Sequence, residues 1–384
     1  MKIFIICSYL GYGGAEHVAV MLANGLCNKH QIILITNLNR EVTYKINPKV
    51  TLLNWSGDNT NKTKRLIYEI KSLRGYVKEF KPDVILGIMY KCSLYGKLAS
   101  IGTGIPVIQT EHNSFERPSS APMSSKDKFL KFYVNKIFDA VTVLTEADKK
   151  SIDNRLKNVY VMPNPLALQP AESVPQKKKI ILSSGRLDSW HVKGFDLLFQ
   201  AWSKIEKKHP DWDLQVAGWG SKQSTIDFVQ QLAKDAGCVN RIQLLGFRED
   251  IVNLYKESSI FVLSSRYEGF GLVLIEAMSQ GCACVACDYK GRQKEILCPE
   301  GVSSSKFHVS SNDLQDSSME ICENGILCEP ENVEALAMSM DKMISDEELR
   351  RKMQENGIER SKYYSIDNTI ARWEALINKV VNKA

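Results

Sequence analysis

One pattern constrains this chain more than any other, and it runs twice. A short apolar run gives way to a turn and then to an amphipathic stretch, repeatedly, on both sides of a proline-rich interruption. In the first half the runs cover residues 3–7, 31–36, 83–87, 107–110, 140–144 and 159–162. In the second they cover 180–184, 214–217, 242–245, 260–263, 284–286 and 326–328. They are rich in Val and Ile and bounded by turn or cap residues, as strands buried on both faces should be. Helical spacing fills the gaps, for example over 15–28, 64–80 and 127–137, where Phe129, Phe132, Tyr133 and Lys136 fall on one face. The interruption holds Pro163, Pro165, Pro170 and Pro175 and then Gln-Lys-Lys-Lys, a semi-rigid linker by composition. Alternating β/α units imply parallel sheets covered by helices. The expected class is α/β, with two Rossmann-like, doubly wound domains facing across a cleft. Ligands of such sheets bind beyond the carboxyl ends of the strands.

A length of 384 residues suits two domains of ordinary size. Hydrophobic residues at 44% and charged residues at 24% exclude wholesale disorder. No apolar run approaches the roughly 20 residues of a spanning helix. The opening Met-Lys-Ile-Phe-Ile-Ile-Cys-Ser reads as a first strand and not a signal peptide, which points to a cytoplasmic protein. Ten scattered cysteines then read as reduced thiols. Cys282, Cys284 and Cys287 cluster, but their apolar, β-prone setting favours a buried strand over a metal site. No His pair or flanked acidic motif supports a metal elsewhere. The net charge of +6 is uneven: residues 1–165 carry 23 Lys and Arg against 13 Asp and Glu, the remainder 27 against 31. The basic half suits a phosphate-bearing substrate, an anionic membrane or a nucleic acid, or is simply a solvated surface.

Three loops carry candidate chemistry. Gly11-Tyr12-Gly13-Gly14-Ala15-Glu16 follows the first strand and opens a helix, where backbone approaches a ligand closely. It lacks the third glycine of a dinucleotide fingerprint, and no acidic residue ends the second strand, so NAD is disfavoured. Arg186 and Lys193 share the loop after the first strand of the second half, a clamp for a diphosphate. The run 264–278 ends a strand in a glycine-containing loop with Glu268, and a helix begins near Gly271. Glu276 lies about one turn in. Two carboxylates beside a phosphate site suit the hydroxyls of a sugar nucleotide. Glu111-His112-Asn113 follow a first-half strand; His112 reads equally as a ligand-facing or a satisfied structural histidine.

In order along the chain stand Gly-Gly-Ala-Glu (13–16), Thr-Glu-His (110–112), Val-Thr-Val-Leu-Thr-Glu-Ala-Asp-Lys (141–149), Met-Pro-Asn-Pro (162–165), Gly-Arg-Leu-Asp with Lys-Gly-Phe-Asp (185–196), Ala-Gly-Trp-Gly (217–220), Gly-Phe-Arg-Glu-Asp-Ile (246–251), Glu268 with Glu276, and Asn-Gly-Ile-Leu-Cys-Glu-Pro (324–330). With these motifs the chain resembles the retaining GT-B glycosyltransferases of family 4. The resemblance implies a nucleotide-binding second domain over 180–362, a first domain over 1–165, a linker over 166–179 and a helix over 363–384 crossing back to the first domain. It implies a UDP-sugar donor and no required cofactor. Arg186 and Lys193 would hold its diphosphate and Glu276 the ribose. Glu268 would meet the transferred sugar, with Gly246, Gly269, Phe270, Gly271 and Leu272 nearby. Gly13, Gly14 and His112 would close over the donor, His112 joining Arg186, Lys193 and Glu268 as the catalytic set. Within the family the chain looks most like enzymes of bacterial O-antigen, capsule and exopolysaccharide assembly. That implies a lipid-linked or oligosaccharide acceptor, the cytoplasmic face of the inner membrane, and no nucleic acid. Lys128, Lys131 and Lys136 would then meet membrane or acceptor, unless their helix simply packs on the first sheet. Three other readings remain. A nucleotide-sugar epimerase of the same fold needs no acceptor, a phosphorylase needs a pyridoxal-phosphate lysine, and a sugar-nucleotide-binding subunit transfers nothing.

Overall fold

The protein was analysed as a computed structural model, which describes residues 1–11, 13–57, 61–115, 117, 122–238, 241–299 and 318–383. The chain forms two compact units. One comprises Met1–Ala167 with Ser365–Ala384, the other Leu168–Tyr364.

The first unit is built on β1 (Lys2–Ile6), β2 (Gln31–Thr36), β3 (Thr51–Asn54), β4 (Val84–Ile88), β5 (Val107–Thr110), β6 (Ala140–Val143) and β7 (Val159–Val161). The spatial order is β3-β2-β1-β4-β5-β6-β7, and every pairing is parallel. Strands β1, β4 and β5 lie inside the sheet and are buried almost end to end. This is why their sequences are continuous apolar runs and do not alternate. The helix Gly14–Leu26 returns the chain from β1 to β2 and buries Val18, Ala19, Leu22, Ala23 and Leu26. The helix Ile366–Val381 packs on it, with Ile370, Trp373, Leu376, Ile377 and Val380 in the same core cluster. A side chain at Gly25 would meet Ile370 at 2.5 Å, so the glycine allows the two helices to approach.

The second unit is built on β8 (Lys178–Ser184), β9 (Asp213–Ala217), β10 (Ile242–Gly246), β11 (Ser258–Leu263), β12 (Ala283–Cys287), β13 (Met319–Ile321) and β14 (Gly325–Cys328). The order is β10-β9-β8-β11-β12-β14-β13, parallel except that β13 runs antiparallel to β14. Cys282, Cys284 and Cys287 are buried in and beside β12, the apolar strand expected there.

Two strands were not foreseen. Strand β3 is a half-exposed edge strand of four residues. Strand β13 falls at the end of the Ser-rich run 299–323, which reads as a surface loop by composition. Residues 300–317 of that run lie outside the described residues, but its last part pairs with β14. The helix expected over 127–137 is also divided. Ser124 caps a helix at Ser125–Phe132, and a 3-10 turn follows at Val134–Ile137. The break turns Phe132 onto the Phe115 ring at 6.0 Å, whereas Phe129 and Tyr133 stack on each other in the open, so the four residues do not share one face.

In each sheet the strand order reverses beside the first strand, between β1 and β4 and between β8 and β11. Open α/β sheets place ligands beyond the carboxyl ends of the strands flanking that point.

Candidate functional site

The second unit brings most of the candidate residues to its reversal point. After β8 the chain runs through Gly185 and Arg186, a 3-10 turn Leu187–Ser189, one helical turn Trp190–Lys193 and Gly194, and then enters the helix Phe195–Ile205. Seven positions separate Arg186 from Lys193. The two turns wind that length back on itself, so the Lys193 stem lies against Gly185, where a Cβ would stand 3.1 Å from it. Gly194 has φ +66°, and a Cβ there would meet the Ser264 carbonyl oxygen at 2.0 Å. A side chain is therefore opposed by both the backbone conformation and a rigid backbone neighbour.

The loop after β11 is fastened to the first loop by charge. The Arg266 N–H donates to the Val192 carbonyl at 2.8 Å. Its guanidinium grips Asp196 with two bonds of 2.8 and 2.7 Å, donates to the His191 carbonyl at 2.6 Å and reaches Glu331 at 2.9 Å. Arg266 is only 9% exposed. A buried guanidinium is tolerable when its donors are this well met. The sequence shows Arg266 between Ser265 and Tyr267 but not its partners, the first of which is 70 residues away.

On this base stands the ion pair of Lys193 and Glu268, at 2.6 Å. The Ser265 hydroxyl donates to the same carboxylate oxygen at 2.7 Å. Arg186 is different: its side chain is 67% exposed, 3.9 Å from Asp188 and 5.9 Å over the Trp219 ring. Asp188 is itself engaged by the backbone N–H and hydroxyl of Ser221. The loop thus presents one exposed guanidinium beside a lysine already neutralised by a carboxylate.

Gly271, at φ +94°, caps the helix Leu272–Ser279. The first N–H groups of a helix lack intrahelical acceptors and favour an anion. Phe270 is held by an edge contact with Tyr364 at 5.6 Å, and Gly269 joins it to Glu268. Glu276 lies one turn into the helix, where Tyr255 donates to it at 3.3 Å. Burial raises its carboxyl above the ordinary range. Gly246 closes β10 and accepts from the Gly218 N–H at 2.9 Å; it fastens neighbouring strand ends.

In the first unit, Gly13 and Gly14 open the helix after β1; Tyr12 lies outside the described residues. The Tyr44 hydroxyl reaches both the N–H and the carbonyl of Gly13, at 3.3 and 3.2 Å, and its ring stacks on His17 at 4.5 Å. His112 follows β5. Its Nε2 lies 3.1 Å from the Thr110 hydroxyl and its Nδ1 lies 3.1 Å from Asn164 Oδ1. Burial lowers its pKa to about 4, so the ring is neutral at pH 7. Asn164 belongs to Met-Pro-Asn-Pro, 52 residues on, and sequence reading gave it no role. Met89, directly after β4, has φ +64°, a strained conformation at this unit's reversal point that no sequence signal marks.

The three lysines assigned to membrane or acceptor do not act together. Lys128 and Lys136 are exposed. Lys131 turns inward: its ammonium donates to the Ser114 carbonyl at 2.8 Å, faces the buried Glu111 carboxylate at 3.6 Å and sits over the Phe115 ring. Burial raises the Glu111 pKa, and Lys131 offsets part of that cost.

Comparison with known proteins extends along the chain. The family model "Glycosyl transferases group 1" matches residues 167–360, and "Glycosyltransferase Family 4" matches residues 12–169. An uncharacterized glycosyltransferase of Haemophilus influenzae is 28% identical over 378 residues, 97% of this chain and 99% of that one. The GalNAc-alpha-(1->4)-GalNAc-alpha-(1->3)-diNAcBac-PP-undecaprenol alpha-1,4-N-acetyl-D-galactosaminyltransferase of Campylobacter jejuni is 27% identical over 391 residues, 100% of this chain and 99% of that one. Among solved structures, HepE of Anabaena in complex with UDP and glucose superposes with a TM-score of 0.74 at 17% identity, covering 99% of this chain and 100% of that one. That last likeness is one of fold.

Proposed function

Because this chain belongs to the group 1 glycosyltransferases, we propose that it transfers a sugar, with retention of configuration, from a UDP-sugar to a lipid-linked oligosaccharide in bacterial surface-glycan assembly. The observation that carries this reading is the loop pair at the β8/β11 reversal point, where the exposed Arg186 stands beside the Lys193–Glu268 pair. Arg186 offers a fork to a diphosphate, and Lys193 adds a point charge. The start of the helix Leu272–Ser279 adds backbone N–H groups. Together they stabilise the charge that develops on the departing UDP without needing a metal. Glu268, fixed by Lys193 and Ser265, accepts hydrogen bonds from the transferred sugar. Glu276 accepts from the ribose hydroxyls.

In a front-face reaction the bond from the anomeric carbon to the diphosphate oxygen breaks. The acceptor oxygen bonds to that carbon from the same side, and its proton passes to the leaving diphosphate. No protein base is then required. A neutral His112, held by Thr110 and Asn164, fits a hydrogen-bonding role. The UDP bound by HepE and the undecaprenol-linked acceptor in the name of the Campylobacter relative support the donor and acceptor classes. Lys128 and Lys136, beside exposed Phe129, Tyr133 and Ile137, form a basic aromatic surface suited to the cytoplasmic face of a membrane. No helix among the described residues is long and apolar enough to cross one.

The test is thermal-shift binding of UDP, GDP, ADP and NAD with chelator present, on wild type and Glu276→Ala. A shift selective for UDP and lost in the variant is the expected result. A shift with NAD, or with none of the four, overturns the assignment.

A further inference from the structure

Away from this site, the second unit gathers two thiols and a carboxylate. Cys298 follows the helix Arg292–Leu297, and Glu320 and Cys322 lie in and just beyond β13. Their ligating atoms all fall within 4.8 Å of one another, and Cys298 Sγ stands 3.7 Å from Glu320 Oε1. Of the ten cysteines, Cys298 alone is not buried. We propose that Cys298, Glu320 and Cys322 bind a thiophilic divalent cation of the zinc class.

The spacing fits. With zinc–sulfur near 2.3 Å and zinc–oxygen near 2.0 Å, tetrahedral angles put sulfur and oxygen roughly 3.5 Å apart. The charge fits as well. On binding, the two thiols lose their protons to buffer, and two thiolates with one carboxylate carry three negative charges. The cation supplies two positive charges, and Lys294 supplies the third. Its ammonium lies 2.8 Å from each Glu320 oxygen, so Oε1 can turn to the metal while Oε2 keeps the lysine. Half-exposed Cys298 leaves the fourth position to water.

The ligands are also held in place before any ion arrives. The Cys298 N–H donates to the Lys294 carbonyl at 2.7 Å, and the Cys322 N–H donates to the Gly325 carbonyl at 2.9 Å. Asn324 ties that turn to the end of the helix, with its N–H and side-chain amide both donating to the Leu297 carbonyl. The Asn356 side chain adds a bond to the Glu323 carbonyl at 3.0 Å. A site whose supporting shell is already formed loses little freedom on binding. The second pair of close thiols, Cys287 and Cys328 at 3.6 Å, is buried between β12 and β14, and neither is part of a three-ligand group among the described residues. The 23 residues between Cys298 and Cys322 hide the site from any reading of cysteine spacing.

The experiment is cobalt titration of the reduced, chelator-stripped full chain, followed by zinc competition. One equivalent of cobalt with a thiolate-to-metal charge-transfer band, displaced by zinc, is expected. Cys298→Ser and Cys322→Ser should each weaken binding about 100-fold and Glu320→Gln about 10-fold. Cys298→Ser, at a half-exposed position, keeps the test independent of folding, and UDP binding in it should be unchanged. The absence of a thiolate band overturns the proposal, as does a band that survives both cysteine variants. So does reduced protein that takes up no metal but loses two hydrogens on air oxidation, since that would mark the pair as a disulfide switch.

Discussion

The turn after β1 and the turn after β8 occupy equivalent places in two sheets whose first five strands share one order, yet they are built from different chemistry. Around Gly13 the hydrogen-bonding and stacking partners are neutral: a tyrosine hydroxyl, a stacked His17 and, beyond β5, an uncharged His112 between a hydroxyl and an amide. Among the described residues, the one charge close to the glycine is the Glu16 carboxylate. Around Gly194 they are ionic: Arg266 with Asp196 and Glu331, and Lys193 with Glu268. The first arrangement is satisfied as it stands. The second holds its charges in fixed positions next to one exposed cation, the arrangement on which the proposed stabilisation of a polyanionic leaving group rests. Similar folds thus divide into a largely neutral frame and an ionic one.

The sharpest break would come at the exposed cation. Arg186→Ala should lower turnover by about 10²- to 10³-fold with a smaller effect on donor affinity, read from kcat and KM separately. Full activity would remove the second turn from the chemistry. Next come the glycines. Gly194→Ala should destabilise the second unit by about 3–5 kcal/mol, because it meets both a positive φ and the Ser264 carbonyl. Gly13→Ala should cost below about 1 kcal/mol, since Gly13 has an extended φ of −177° and the nearest obstacle is the movable end of Glu16. Equal losses in urea unfolding would contradict the contrast.

A third prediction concerns pH. The His112 pKa is depressed in the folded protein, from 6.5 to about 4. As pH falls from about 6.5 to about 4, the unfolded chain takes up a proton that the folded one refuses, and stability is lost over that window. The loss is at most about 3 kcal/mol. His112→Gln should flatten this part of the stability profile; an unchanged slope would assign the loss to other groups. The smallest effects separate two lysines of one helix. Lys131→Met leaves the buried Glu111 carboxylate unaccompanied and should cost about 2 kcal/mol, whereas Lys128→Met should stay within about 0.5 kcal/mol.

The interior of both sheets was legible because strands buried on two faces must be apolar throughout. Strands β3 and β13 were not, being short edge strands with one side open, where composition resembles that of a loop. In the candidate site, neighbours along the chain were legible: Arg186 and Lys193 in one loop, and Glu268 in a loop with Glu276 in the helix that follows it. Their long-range partners were not. Nothing in Met-Pro-Asn-Pro says that Asn164 will meet His112, and nothing around Arg266 points to Asp196, because such pairs are set by which strands become neighbours. Lys131 is the converse case. Its helix reads equally as a membrane- or acceptor-facing element and as one packed on the first sheet, and a buried carboxylate at the end of β5 draws this lysine inward.

The return of the chain to the first unit at Ser365 matters for biosynthesis. The groove on the helix Gly14–Leu26 that receives Ile370 and its neighbours is translated before the second unit, and the helix Ile366–Val381 that fills it is translated only after the whole of that unit. During synthesis the second unit, being continuous in sequence, can complete its core first, while the first unit waits with an apolar face uncovered. A nascent chain stalled near residue 360 would thus pair one finished unit with one sticky one, the kind of intermediate that chaperones bind.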